Sequence, residues 1–213
     1  MQKNYNTTAY REELRSQTLI VAMSLFKRNG VKSVKMDDIA NELGISKRTL
    51  YEMYSNKEDL LYECVRNDKQ RRRQQIVDFA KTADNEMEVM TYFFRLQLSD
   101  LGSTNPVFFT DILKYTKTVE YLKNFKLRQK SNSREFINRG IEQGYFRSDV
   151  NYEIMDRLSD AAMENVMQTK MYRLFPLSKI FCTFMLIFTR TCCTEKGQKY
   201  LAKFLCEDAG SVV

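Results

Sequence analysis

The stretch Met36-Asp37-Asp38-Ile39-Ala40-Asn41-Glu42-Leu43-Gly44-Ile45-Ser46-Lys47-Arg48-Thr49-Leu50-Tyr51 decides the fold. Met36, Ile39, Ala40 and Leu43 recur at helical spacing, so one face of a short helix is apolar. Gly44 stops that helix, and Gly44-Ile45-Ser46 makes a tight turn. Ser46 is an N-cap, because its hydroxyl can accept a free amide of the next helix's first turn. That next helix covers about Lys47 to Tyr54. It turns Leu50 inward and Lys47, Arg48, Thr49, Tyr51 and Glu52 outward. Short helix, glycine turn, short helix is the helix-turn-helix pattern. Cations, a hydroxyl and a phenol can bond phosphates and base edges. Taken alone, Lys47 and Arg48 also fit a merely solvated helix face.

The flanks support a small helical domain. Leu19, Ala22, Met23 and Phe26 share one face of a helix predicted over Arg11–Asn29, with Gly30 just past its end. Ser55-Asn56-Lys57-Glu58 has the form of a capping box and starts a fourth helix at Lys57. Leu60, Leu61, Cys64 and Val65 give that helix its apolar side.

The whole chain of 213 residues has 2 Pro and 7 Gly, sparse punctuation that favours long helices. The net charge is +7, and residues 1–75 hold 15 Lys/Arg against 10 Asp/Glu. A positive field concentrated in the first third suits a polyanion, with nucleic acid the leading candidate. The chain contains no His, which removes the usual general base, the usual metal ligand and the Ser-His or Cys-His pair. No Gly-rich phosphate loop or metal-ligand spacing occurs, so neither an enzyme nor a cofactor or metal is expected. The most apolar stretch, Ile180 to Phe188, is half the length of a membrane span. The N-terminus lacks the apolar core of a secretory signal. Together with the odd count of 5 Cys, this predicts reduced thiols in a cytoplasmic, non-membrane protein. Cys182, Cys192 and Cys193 could sense redox state, but the spacing fits buried, inert cysteines better.

Residues 11–61 resemble the DNA-binding domain of TetR-family transcriptional regulators. The resemblance rests on Ala22, Phe26 and Gly30, then Ile39-Ala40, Gly44-Ile45-Ser46, Thr49-Leu50-Tyr51, Tyr54 and Lys57-Glu58-Asp59-Leu60-Leu61, in order and at matching intervals. It implies an all-α protein: a helix-turn-helix domain at residues 1–70, then a larger ligand-binding and dimerisation domain at 71–213. The implied partners are a double-stranded DNA operator, a second copy of the chain and an unidentified small-molecule effector. The implied function is transcriptional repression relieved by that effector. By position, Lys35 would touch phosphate, Lys47, Arg48 and Thr49 would lie at the major groove, and Tyr51 would reach phosphate or a thymine methyl. Lys57 would clamp phosphate at the start of its helix. Two positions depart from the pattern. Val34 and Lys35 stand where the family has Ser or Thr, with the hydroxyl moved to Ser33. Arg48 stands where a small residue is common, and it fits a guanine contact or a phosphate contact.

Beyond residue 70 the resemblance is architectural. Helices are predicted near Met87–Leu98, over Val119–Gln143, Tyr152–Thr169 and Pro176–Cys193, and over Lys196–Leu205, with a break at Gly102-Ser103-Thr104-Asn105-Pro106. The family's four-helix dimer bundle would use Met155, Leu158, Ala162 and Val166 with Ile180, Phe184, Ile187 and Phe188. Its cavity would be lined by Phe93, Phe94, Phe108, Phe109, Tyr115, Phe136, Met163 and Met167. The same apolar residues also fit an intramolecular core.

Overall fold

Gly30 ends the first helix with φ 79°, and its N–H still donates to the Phe26 carbonyl at 2.9 Å. The computed structural model describes residues 8–208. Among the described residues ten α-helices follow in the order α1 (Thr8–Asn29), α2 (Met36–Leu43), α3 (Lys47–Met53), α4 (Lys57–Ala80), α5 (Glu86–Ser103), α6 (Pro106–Ile112), α7 (Thr116–Glu142), α8 (Tyr152–Gln168), α9 (Leu177–Cys192) and α10 (Glu195–Asp208). A 3₁₀ turn at Met171–Arg173 separates α8 from α9. Among the described residues the only β-type pairing is an isolated bridge between Phe146 and Cys193. The fold is all-helical, and each predicted helix is present within a few residues of its expected ends.

The chain packs as two units, and neither is a contiguous segment. One comprises the chain up to Arg73 together with Thr104–Phe125; the other comprises Gln74–Ser103 and the chain from Lys126 onward. The boundary expected at residue 70 therefore falls inside α4, and α6 with the start of α7 packs with the N-terminal helices.

The core of the first unit gathers Phe26 from α1, Ile39 from α2, Leu50 from α3 and Leu60 and Leu61 from α4, all fully buried. Removing each such side chain from water stabilises the fold by about 1.5–3 kcal/mol. Phe108 and Ile112 of α6 complete this core, with Phe109 and Tyr115 packed against it. Three of the expected cavity residues, Phe108, Phe109 and Tyr115, thus belong to the core of the unit that carries the helix-turn-helix. Their aromatic character reads alike in a core and in a cavity wall.

In the second unit Met87 and Phe94 of α5 pack with Phe146, Cys193, Leu201 and Phe204, and Phe136 lies against this cluster. A Cβ on Gly140 would stand 2.1 Å from the Phe146 ring, so only glycine lets that ring lie on α7. Glu86, buried at the start of α5, accepts from Arg139 Nε, and its backbone N–H donates to Gln143 Oε1 at 2.9 Å. Val166 of α8 is buried within this chain, whereas Ile154, Leu158 and Ile187 are each more than half exposed.

Candidate nucleic-acid interface

The turn between α2 and α3 is closed by backbone bonds alone. Gly44 adopts φ 65°, its N–H donates to Asn41 O at 3.1 Å, and the Ile45 N–H donates to Ala40 O at 3.0 Å. These bonds satisfy carbonyls at the end of α2 that have no partner within the helix. Ser46 caps α3, its Oγ accepting the Thr49 N–H at 3.1 Å. The Thr49 hydroxyl lies 2.8 Å from the same Oγ, so it is engaged in the cap as well as standing on the expected reading face. Leu50 points into the core. Lys47, Arg48 and Tyr51 stand outward on α3, the Arg48 side chain being 90% exposed.

Both cations of α3 have carboxylate partners. Lys47 pairs with Asp37 of α2, and Arg48 Nε with Glu52 Oε1 at 2.9 Å on its own helix. Exposed pairs of this kind contribute at most about 1 kcal/mol. Each cation can therefore exchange its carboxylate for a phosphate or a base edge at little cost.

At the start of α2 the predicted phosphate residue Lys35 is exposed and occupies the N-cap position. Its backbone N–H donates to Asp38 Oδ2 at 2.8 Å, so Asp38 closes this end of the helix. Ser33 does not. Its hydroxyl donates back to the carbonyls of Asn29 and Gly30 and stays with the end of α1.

At the start of α4 the cap is Asn56 rather than the Ser55 of the expected capping box. Asn56 Oδ1 accepts the Asp59 N–H at 2.9 Å, and its Nδ2 donates to Asp59 Oδ2 at 2.9 Å. Lys57 differs more from expectation. Its ammonium donates to Val31 O at 2.9 Å, Val34 O at 2.9 Å and Lys32 O at 3.4 Å. Burial lowers its pKa from the ordinary lysine value, against the opposing pull of Asp111 and Asp38. The phosphate clamp expected of Lys57 thus has its three N–H groups directed to the turn between α1 and α2. The signal was absent from the sequence because the acceptors are backbone carbonyls some 25 residues away.

Residues that the sequence reading left out also shape this surface. Asp111 of α6 is buried; its Oδ2 accepts the Lys32 N–H at 2.8 Å and its Oδ1 accepts Lys114 Nζ at 2.9 Å. Burial pushes its carboxyl up, but those two donors hold it below the usual carboxylate range. Asn105 caps α6 and donates its N–H to Lys27 O at the end of α1, at 2.7 Å. In the basic run Arg71-Arg72-Arg73, two guanidiniums are tied to a neighbouring carboxylate. Arg71 and Arg72 donate to Asp68 at 3.2 Å and 2.9 Å, and Lys27 of α1 reaches the same carboxylate at 3.3 Å.

The expected cavity residues divide differently. In the second unit Phe94 lines an apolar cavity of about 20 Å³ together with Leu98, Phe181, Met185, Leu201 and Phe204. Phe93 is more than a third exposed, Phe136 packs on Phe146 with ring centroids 5.5 Å apart, and Met163 and Met167 are half-buried on α8. A wider groove of about 1190 Å³ lies between α7 and the start of α8, with Lys130, Arg134, Ile137, Ile141, Tyr152 and Glu153 in its walls. Aromatic content pointed away from it, because most of the residues that line it are polar and Tyr152 is its only aromatic. Burial pushes the Cys192 thiol up and that of Cys193 up to about 11, and it raises Cys64 further, which disfavours the reactive thiolate at these three. Among the described residues no cluster suited to a metal ion occurs, and no helix is long and apolar enough to cross a membrane.

Residues 19–64 match the family model of bacterial regulatory proteins, tetR family. Over 57 residues the chain is 39% identical to an HTH-type transcriptional regulator of Staphylococcus aureus, covering 27% of this chain and 31% of that protein. Over 148 residues it is 24% identical to the HTH-type transcriptional repressor KstR2 of Mycobacterium tuberculosis, covering 67% of this chain and 74% of that one. Among solved structures, a transcriptional regulator from Saccharomonospora viridis, in complex with choline, superposes with a TM-score of 0.68. It shares 24% identity, over 86% of this chain and 99% of that one. The matched domain coincides with the helix-turn-helix described above, and the relatives that share it are transcriptional regulators. Residues 19–64 match a DNA-binding domain of the tetR-family type, and the chain is similar to transcriptional regulators that carry it.

Proposed function

We propose that the chain is a homodimeric repressor that reads a palindromic operator through α2 and α3 and leaves it when a small molecule binds. The observation that carries this reading is the split face of α3: Leu50 is fully buried while Lys47, Arg48 and Tyr51 project to solvent. In this reading residues 1–70 contact DNA and residues 71–213 bind the effector and the second copy. Lys35 contacts phosphate, Lys47, Arg48 and Tyr51 lie at the groove, and Thr49 both caps α3 and faces DNA.

The exposed Leu158 of α8 and Ile187 of α9 support pairing of two copies through these helices. Pairing two short reading heads about one helical turn of DNA apart makes the site palindromic. Capture of choline by the S. viridis regulator supports a small-molecule effector for this chain. The groove between α7 and α8 has the volume for one, whereas the apolar cavity beside Phe94 has room for about one water. To act as a switch, the effector must bind the DNA-competent and incompetent forms with different affinity.

The test is selection of bound duplexes from random-sequence DNA by the full-length protein. Enrichment of one palindromic site, bound more weakly as salt rises, is the expected result. Failure to enrich any sequence would overturn the proposal.

A further inference from the structure

Lys130, Arg134, Ile137 and Ile141 recur at helical spacing on α7 and form one stripe along the groove that α7 shares with the start of α8. At 1.5 Å of rise per residue the stripe is about 16 Å long. Its two ends differ in chemistry. Lys130 and Arg134 are exposed, whereas Ile137 and Ile141 are half-buried. Ile141 and Tyr152, both in the groove walls, pack against the core of the second unit. The groove of about 1190 Å³ is thus basic at its exposed end and apolar where it meets that core. All the residues that line it belong to the second unit.

The charges around the groove pair unevenly. Asp149 accepts from Arg147 at 2.6 Å, Glu153 from Arg157 at 3.1 Å and Asp156 from Lys126 at 3.3 Å. Lys126 also pairs with Asp160, so it ties α7 to α8 one turn before Lys130. Glu135, the remaining acid of the walls, lies one turn before Arg139 and adds to the negative charge around that guanidinium. Lys130 and Arg134, by contrast, have no carboxylate within ion-pair distance among the described residues. Their field does cross the groove. Glu153 is held below the usual carboxylate range first by its bond to Arg157, with Lys130 and Arg134 adding to it. Two like charges one turn apart on a helix repel each other, and an anion placed between them relieves that repulsion.

We infer that the groove binds an amphipathic organic anion, with a carboxylate or phosphate head between Lys130 and Arg134 and an apolar body along Ile137 and Ile141. An anion meets both cations without displacing an existing pair. A cation in the same place has to take Asp149, Glu153 or Asp156 from its present partner. The guanidinium offers two parallel N–H bonds to a carboxylate or phosphate, and the ammonium adds a further charged donor. The isoleucines remove the apolar body from water, so head and tail each have a matching surface at the right end of the stripe. The inference rests on the reading of this groove as the effector site and names the class of molecule that it takes.

The test uses the full-length protein without DNA and four probes that share one decyl tail: decanoate, decyl phosphate, decanol and decyltrimethylammonium. In isothermal calorimetry at least one of the two anions should bind about tenfold more tightly than decanol or decyltrimethylammonium. The tighter anion identifies the head group. Its affinity should fall as salt is raised. The double variant Lys130→Gln with Arg134→Gln should weaken that anion about tenfold, toward the level of decanol. Both side chains are exposed, so the variant keeps the fold. Ile137→Ser should weaken the same anion through its tail. Binding of decyltrimethylammonium as tightly as the anions would overturn the inference. So would binding of neither anion, or an anion affinity that the double variant leaves unchanged. Affinity for the selected operator, measured with and without the bound anion, separates the two readings. An unchanged operator affinity removes the effector role and leaves the anion site standing. A protein that enriches no duplex removes the DNA reading and leaves the calorimetry as it is.

Discussion

Lys47 at the start of α3 is ion-paired with Asp37 in the first turn of α2, so the two helices of the helix-turn-helix are tied by opposite charges on the face proposed to meet DNA. On DNA this carboxylate is a like charge to the phosphates. Asp37→Asn should therefore tighten binding to matched and scrambled duplexes alike by a few-fold, on the order of 1 kcal/mol for an exposed charge. Fluorescence anisotropy at two salt concentrations checks this, and the gain should shrink at the higher one. An unchanged affinity would mean that Lys47 keeps Asp37 as its partner on DNA.

Arg48 sits almost fully in solvent, and its pair with Glu52 is exposed, so its removal leaves the fold nearly unchanged. Arg48→Ala should cost about 1–3 kcal/mol on the selected operator and relax preference at one position of each half-site, if its guanidinium meets guanine. Repeating the random-sequence selection with the variant gives the answer directly. Equal loss on matched and scrambled DNA would assign Arg48 to phosphate.

Asp68 supplies the pH dependence of the head. Burial pushes its carboxyl up, but Lys27 and Arg72, with Arg71, hold it below the ordinary carboxylate value. With the folded pKa depressed, the stabilisation is fully present above the unfolded value near 3.9 and is lost as pH falls through the folded value. Asp68→Ala should cost about 1.5–3 kcal/mol at neutral pH, because it removes a buried carboxylate that accepts from Lys27, Arg71 and Arg72. Urea titrations at neutral pH and near pH 3 should show the gap between wild type and variant narrowing in acid.

The thiol environments predict chemical silence. With Cys193 raised to about 11 and buried, the thiolate fraction at neutral pH is minute. Iodoacetamide at pH 7.5 should leave Cys193 and Cys64 unmodified in the folded protein, as read by peptide mass mapping, and Cys192→Ser should leave operator affinity unchanged. Rapid native-state modification of Cys193 would revive a redox role.

The proposed dimerisation through α8 and α9 is checked by charge. Leu158→Glu and Ile187→Glu place a carboxylate on faces that are exposed in the single chain, so each variant should stay folded. Light scattering should report a monomer for them and a dimer for wild type at micromolar concentration. A dimer that survives both substitutions would place the interface elsewhere.

The helix-turn-helix was legible because local chemistry specifies it. Gly44 takes the left-handed conformation that the turn needs, Ser46 caps, and Leu50 is the one inward residue of a very short helix. What stayed hidden was everything that joins distant segments. Nothing around Phe108-Phe109 says that α6 completes the core of the N-terminal helices, since aromatic periodicity looks the same in a core and in a cavity wall. Nothing near Asp111 says that its acceptor role lies 79 residues upstream at Lys32. The contacts of Lys57 were hidden for the same reason. A helix N-terminus with a lysine suits phosphate by local rules, and only the fold shows three carbonyls already seated there.

The non-contiguous N-terminal unit bears on engineering. Swapping reading heads between regulators is usually imagined as one cut in the chain. Here, a graft that takes residues up to Arg73 without Thr104–Phe125 would leave Phe108 and Ile112 behind, along with the acceptor for Lys32. A faithful chimera needs two inserts and three junctions, because the core beneath the N-terminal helices is completed from a second, distant segment of the chain.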